Sequence, residues 1–150
     1  MESRKILSSA IVGTSAMTLL SYLISETQKK NFREPEILGQ LIKSIPIVHS
    51  KTHANILGWS THYIIGILFV AFYSELWEQT KIKPSIGTGA VLGVLSGLVG
   101  IVGWQIMFDT HPNPPYKNLK QYFYHLIIAH IVFGIFSTIT YKVLNNKSSE

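Results

Sequence analysis

Charged residues gather in short segments along this chain, and the stretches between them are apolar. Four stretches carry no Asp, Glu, Lys or Arg, at residues 6–24, 56–74, 86–108 and 122–141. Each is roughly 19 to 23 residues long, the length at which a helix spans a hydrocarbon core about 30 Å thick. The remaining polar sequence is too short to cover four such helices in water. The pattern therefore predicts an all-α polytopic membrane protein, with four transmembrane helices in one domain over residues 1–150.

A shorter helix is predicted at about residues 35–45, in the polar segment between the first two spans. Pro35 suits the first turn of a helix, and Pro46 ends it. The apolar positions at helical spacing on one side are Ile37, Leu38, Leu41, Ile42 and Ile45. The segment is too short to cross a membrane, so we expect it to lie along the interface.

The second and fourth spans share the pattern His-x3-Gly-x6-Tyr. Its residues are His62, Gly66 and Tyr73 in the second span, and His130, Gly134 and Tyr141 in the fourth. The first and third spans also align, at residues 9–13 and 89–93. The chain is therefore interpreted as two helical hairpins of related sequence. Because each hairpin crosses the membrane twice, the two form a parallel repeat.

Glycine and the paired tyrosines mark the helix faces expected to lie inside the bundle. At 100° per residue, offsets of four and eleven return to within about 40° of the starting direction, so each His-Gly-Tyr motif occupies one face. Glycine allows a neighbouring backbone to approach closely. The third span adds Gly89, Gly93 and Gly97 at four-residue spacing. These glycines predict tight helix packing.

Composition narrows the function classes. The formal net charge is +5 and the chain has no cysteine, which excludes disulfides and thiolate metal sites. The basic residues lie at span ends and in loops, where they face lipid headgroups, so we expect no nucleic-acid partner. The sequence holds no nucleophile–base motif, phosphate-binding loop or HExxH, so no enzyme and no catalytic residue is indicated.

Histidines concentrate at one side of the predicted membrane. Side A carries both termini, because the number of spans is even, and side B carries the first and third connections. All six histidines fall toward side B: His49, His53, His62, His111, His125 and His130. His62 and His130 lie within their spans, roughly 9–12 Å from that side. An ionisable residue inside a span is a candidate functional group.

Three interpretations of His62 and His130 stay open. Neutral imidazoles can hydrogen-bond a hydroxyl or carbonyl of a neighbouring helix and hold the packing. Two opposed imidazoles can ligate a transition metal or a b-type haem, although no third protein ligand is evident in the spans. They can also handle protons or ions. No buried acid is expected beside them, and His125 is expected to point elsewhere, since it lies five residues before His130.

Two functional hypotheses follow, and both place the chain in a lipid bilayer. The first is a non-enzymatic scaffold or accessory subunit, with a homo-oligomer or another membrane protein as partner. The second is a protein that binds a cofactor or metal, or transports protons or a solute, through His62 and His130. Side A carries six Lys and Arg residues and side B seven. Lys43 lies in the interfacial helix and counts less, so the termini are predicted to be cytoplasmic.

Four features together resemble a group of small bacterial four-helix inner-membrane proteins of unknown function. They are Gly13-Thr-Ser-Ala-Met17-Thr18, Pro35-x3-Gly39, the two His-x3-Gly-x6-Tyr motifs and the glycine-rich third span. The resemblance covers roughly residues 6–143. It implies a multi-pass protein of a bacterial inner membrane. It implies no activity and no catalytic residues.

Overall fold

The computed structural model describes residues 2–44, 48, 50–112, 114 and 119–147. They form five helices: α1 (Glu2–Gln28), α2 (Glu34–Lys43), α3 (Lys51–Gln79), α4 (Ile86–Thr110) and α5 (Leu119–Lys147). Four of these, all except α2, are long and apolar enough to cross a membrane. At 25 to 29 residues each, they extend about 37–44 Å. The predicted all-α class with four membrane-length helices is confirmed.

Local sequence signals set several helix boundaries. The Ser50 side chain accepts a hydrogen bond from the backbone N–H of His53 and caps α3. Ser85 and Thr88 form a reciprocal capping box at the start of α4. Pro35 lies in the first turn of α2. Because Ser and Thr accept from otherwise unpaired N–H groups, these short motifs fix where the helices begin.

The chain reverses between α1 and α2 through Lys29, whose φ of 54° lies in the left-handed region. The N–H of Lys30 then donates to the carbonyl of Ser25 at 3.3 Å. The N–H of Phe32 donates to Ser25 Oγ at 2.9 Å. These bonds to one residue of α1 fold the chain back on itself. The first turn of α2 is thereby placed against the bundle.

The long helices pack in the order α3, α1, α5, α4, and α2 packs against α3. The apolar side of α2 contacts protein: Ile37, Leu38 and Leu41 are buried and join a cluster with Trp104 and Phe108. This helix therefore covers the side B end of the bundle. Whether it also lies along a membrane interface stays a prediction, and residue 45, its predicted end, lies outside the described residues.

Glycines allow α4 and α5 to approach at backbone distance. A Cβ atom on Gly134 would overlap the carbonyl oxygen of Gly89 and lie 2.7 Å from the nitrogen of Gly93. A Cβ on Gly93 would overlap the carbonyl oxygen of His130. At Gly97 it would lie 2.9 Å from the end of the Ile127 side chain. The glycine stripe of the third span is therefore occupied within the chain.

At side A, polar side chains join three helices near the termini. The Tyr141 hydroxyl donates to Glu2 Oε1 at 2.5 Å, and the Ser74 hydroxyl donates to the same oxygen at 2.7 Å. Tyr141 and Ser74 also lie 3.0 Å apart. We call Glu2, Ser74 and Tyr141 the side A clasp. It ties α1, α3 and α5 together at the end opposite to α2.

The outward surface of the long helices is apolar. Leu19, Leu68 and Val99 are 62%, 64% and 61% exposed. Small polar side chains lie inside the bundle instead. The ones that are at most 1% exposed include Ser9, Thr14, Ser21, Ser137 and Thr138. A surface of this kind is unfavourable in water and suits hydrocarbon, where each helix satisfies its own backbone.

Candidate functional site

A cavity of about 210 Å³ lies among the helices in the half of the bundle near side B. Its polar lining comes from Glu34 of α2, His62 of α3, His130 of α5 and Thr14 of α1. Helix α4 contributes small and apolar residues, including Gly100, Gly103 and Trp104. All five helices therefore contribute to one space, which is apolar except for a few ionisable groups. Ligand sites commonly have this composition.

His62 is held as a neutral donor at one ring nitrogen. Its Nε2 lies 2.9 Å from Thr18 Oγ1, and the Thr18 hydroxyl donates to the carbonyl of Thr14 at 2.7 Å. Because that hydroxyl has one proton, it accepts from Nε2–H of His62. In a neutral imidazole the other nitrogen, Nδ1, then carries the lone pair. The predicted structural role was a hydrogen bond to a hydroxyl of a neighbouring helix. That bond uses one ring nitrogen, Nε2, and leaves Nδ1 for another partner.

His130 is held in the complementary tautomer. Its Nδ1 lies 2.9 Å from the carbonyl oxygen of Leu126 on the same helix. A carbonyl only accepts, so Nδ1 carries the proton and Nε2 carries the lone pair. Gly100 makes room for the ring, since a Cβ there would lie 3.4 Å from Nε2. Both cavity histidines therefore have one nitrogen that can accept a hydrogen bond or bind a cation.

Glu34 is the functional candidate that the sequence did not reveal. It is 1% exposed, and its Oε1 accepts from the Ser21 hydroxyl at 2.9 Å. Its Oε2 is buried and has no hydrogen-bond partner among the described residues. The expectation that no buried acid accompanies the histidines is wrong, because Glu34 lines their cavity. As the first residue of α2, its carboxylate is favoured by the helix dipole.

His125 is not among the residues that line the cavity, but it contacts the hydrogen-bonded group around Glu34. Its Nε2 lies 3.0 Å from Ser21 Oγ and 3.7 Å from Glu34 Oε1. Since Ser21 donates its proton to Glu34, it accepts from His125. The ring of Phe32 packs on the imidazole, with 4.7 Å between centroids. His125 therefore positions Ser21 and, through it, the carboxyl group of Glu34.

Most of the cavity atoms that could form a further hydrogen bond are acceptors. They are Oε2 of Glu34 and the second imidazole nitrogens of His62 and His130. The hydroxyl of Thr14, also without a partner among the described residues, can donate or accept. Such a site fits a ligand that carries a positive charge or several N–H or O–H groups.

Metal or haem ligation by His62 and His130 stays a prediction. Within residues 2–44, 50–112 and 119–147, no three His, Asp or Glu side chains are grouped closely enough to hold a metal ion. Structural zinc sites use four protein ligands and catalytic sites three. Within the described part of the chain, His62 and His130 therefore lack the third and fourth protein ligands that zinc sites usually have.

The remaining candidate residues lie outside the cavity, with one exception. Gly66 lines it, and a Cβ there would overlap the hydroxyl of Thr14. The Tyr73 hydroxyl donates to the carbonyl of Leu92 at 3.0 Å and contacts Ser96, which joins α3 to α4. Tyr141 belongs to the side A clasp. The two paired tyrosines thus connect helices toward side A, away from the histidines.

The fold and the cavity define a class: an all-α chain whose four long helices are suited to cross a membrane, with ionisable side chains around an internal space. No family model, curated protein or solved structure matches this chain.

Proposed function

We propose that this chain is a membrane-embedded solute-binding protein that takes a small ammonium-type cation into the cavity of Glu34, His62 and His130. Transport is the activity that such binding would serve. The observation that carries the proposal is the buried Oε2 of Glu34, which has no partner among the described residues. The side chains of His62 and His130 line the same cavity.

Energetics supports a cation. A carboxylate removed from water costs several kcal/mol unless charge or hydrogen bonds compensate. Ser21 supplies one hydrogen bond to Oε1, and His125 lies at 3.7 Å. Oε2 accepts no hydrogen bond among the described residues. An alkylammonium head has a positive charge and three donors, so it can pair with this carboxylate and also donate to a neutral imidazole.

The glycine stripe of α4 motivated the scaffold hypothesis, because small residues can also pack against a second chain. Gly89, Gly93 and Gly97 of α4 contact α5 of the same chain, so they are not left over for a second copy. A homo-oligomer or membrane-protein partner stays a prediction. Glu34 does not favour a purely structural role for α2, because a buried acid in an apolar cavity does not stabilise the packing.

Three further parts of the proposal rest on the sequence. The two hairpins are proposed to be a parallel repeat, on the motifs at His62 and His130. The bacterial inner membrane is proposed from the resemblance of residues 6–143 to small four-helix proteins. Cytoplasmic termini are proposed from the placement of Lys and Arg. A reporter fused to the C-terminus, active only in the cytoplasm, tests the orientation.

Binding of radiolabelled n-butylammonium to the protein in lipid nanodiscs tests the function. Empty nanodiscs give the background from partitioning, and butyrate serves as the anionic competitor. We expect saturable binding that butyrate does not displace. Glu34→Gln should weaken it by at least about tenfold, since losing one partner of a buried charged pair costs about 2–5 kcal/mol. His62→Gln and His130→Gln should weaken it less, because each removes a neutral acceptor.

Matched controls separate the site from general charge effects. Glu36 lies two residues along the same helix and pairs with Tyr22 and Arg33 at the surface. His53 is exposed in the first turn of α3. Glu36→Gln and His53→Gln should bind n-butylammonium as the wild type does. Absence of saturable binding by the wild type, or equal binding by Glu34→Gln and Glu36→Gln, would contradict the proposal.

A further inference from the structure

A second, apolar cavity of about 430 Å³ lies beside the site cavity, between α3 and α4. The two cavities share Ile65, Phe69 and Val99 as lining residues. The second cavity is otherwise lined by Leu68, Phe72, Tyr73, Leu92, Leu95 and Ser96. We call it the α3–α4 groove. The cavity that holds the ionisable side chains therefore borders an apolar groove.

The groove exists because α3 and α4 do not pack backbone to backbone, unlike α4 and α5. The two helices are joined toward side A by the hydroxyl of Tyr73, which donates to the carbonyl of Leu92. Between that bond and the cavity, large side chains stand apart. Leu68, Phe72 and Leu95 are 64%, 62% and 52% exposed. The groove is therefore open along its length to the surroundings of the bundle, which are hydrocarbon if the helices span a membrane.

Length and charge indicate the occupant. From His62 to Tyr73 the helix rises about 16 Å, at 1.5 Å per residue. Acceptors and a carboxylate lie at one end of this distance, and only apolar side chains lie along most of it. A ligand that matches both parts has a cationic head and an extended hydrocarbon tail. Such a molecule dissolves in the bilayer and reaches the site from the side.

We infer that the ligand is a long-chain alkylamine or similar cationic amphiphile, whose ammonium head pairs with Glu34 and whose tail lies in the α3–α4 groove. This inference rests on the proposed function and adds the chemical class and the lateral route. A phospholipid chain is less well matched, because its headgroup brings a phosphate toward the carboxylate. A simple hydrated cation leaves the apolar groove without a role.

A substitution that fills the α3–α4 groove and leaves the site cavity unchanged tests the inference. Leu95 lines the groove and not the site cavity, whereas Leu98, one turn along α4, lines neither. They are 52% and 50% exposed, so Leu98→Trp is a matched control for Leu95→Trp. Binding of dodecylammonium and of n-butylammonium is measured for both variants in nanodiscs, at equal amine content of the bilayer. Unchanged melting temperatures confirm that both variants fold.

We expect Leu95→Trp to weaken dodecylammonium binding by about tenfold or more, as overpacking of a filled groove predicts. Its n-butylammonium binding should stay within about twofold of the wild type, and Leu98→Trp should change neither. Equal dodecylammonium binding by the two variants would overturn the groove assignment, including the case in which lipid fills the groove. Retained n-butylammonium binding would then leave the proposed function standing. Failure of the wild type to bind either amine would overturn both.

Discussion

Gly134 gives the sharpest test of how the helices are held together. A Cβ atom at this position would meet the carbonyl oxygen of Gly89, the nitrogen of Gly93 at 2.7 Å and the Cα of Gly93 at 2.8 Å. All three atoms belong to the backbone of α4. A flexible side chain could turn away, but a helix backbone can only move as a body. Gly134→Ala therefore forces α4 and α5 apart.

The size of the effect follows from two opposing contributions. Overpacking of a close contact costs about 1–3 kcal/mol, and replacing a helix-interior glycine by alanine returns about 1 kcal/mol. The expected net loss in the free energy of unfolding is therefore about 0–2 kcal/mol. Gly103→Ala supplies the control, because no heavy atom lies within 4 Å of the added Cβ. It should raise the free energy of unfolding by up to about 1 kcal/mol.

Unfolding in mixed micelles, titrated with a denaturing detergent and followed by helical circular dichroism, measures the difference. We expect the two variants to differ by about 1–3 kcal/mol. Gly134→Ala should also weaken n-butylammonium binding, since α4 contacts the backbone of His130 through Gly93. Equal stability of Gly134→Ala and Gly103→Ala would refute the assigned backbone contact between α4 and α5.

Two further predictions separate stability from binding. Glu34→Gln should keep the free energy of unfolding or raise it by up to about 2 kcal/mol, because it removes a buried charge with an unpartnered oxygen; a clearly lower melting temperature would make Glu34 a structural residue. Tyr141→Phe removes the hydroxyl that donates to Glu2 and should lower the free energy of unfolding by about 1 kcal/mol. It should leave n-butylammonium binding unchanged, and a loss of binding would contradict the separation of the side A clasp from the site.

The membrane-length helices were predictable because their signal is local. A charge-free stretch of membrane length requires no knowledge of its neighbours. The inward face of this motif was equally predictable, because helical periodicity alone places His62, Gly66 and Tyr73 on one face. All three residues are buried. The sequence did not predict which helix packs against each of these faces. Periodicity indicates that Gly93 packs closely, but it does not reveal that the neighbour is the backbone of His130.

Glu34 was missed because its burial depends on a chain reversal without a sequence signature. A left-handed residue at a helix end is usually glycine or asparagine, whereas here it is Lys29. Nothing in the sequence therefore predicts that α2 folds back onto the bundle. The indirect contact of His125 with Glu34 was not foreseen for a related reason. A helical wheel compares positions on α5 only, and the contact with Glu34 runs through Ser21 of α1.

The distribution of satisfied and unsatisfied polar groups supports the proposed binding site. At side A, Glu2 receives hydrogen bonds from two helices, so charge there stabilises the bundle. Toward side B, Glu34 is more deeply buried and has an unpartnered oxygen. An apolar residue of similar volume at position 34 would pack against the same neighbours at lower cost. A site that lowers stability in this way is expected where an external ligand completes it, and the open α3–α4 groove provides that ligand with a route.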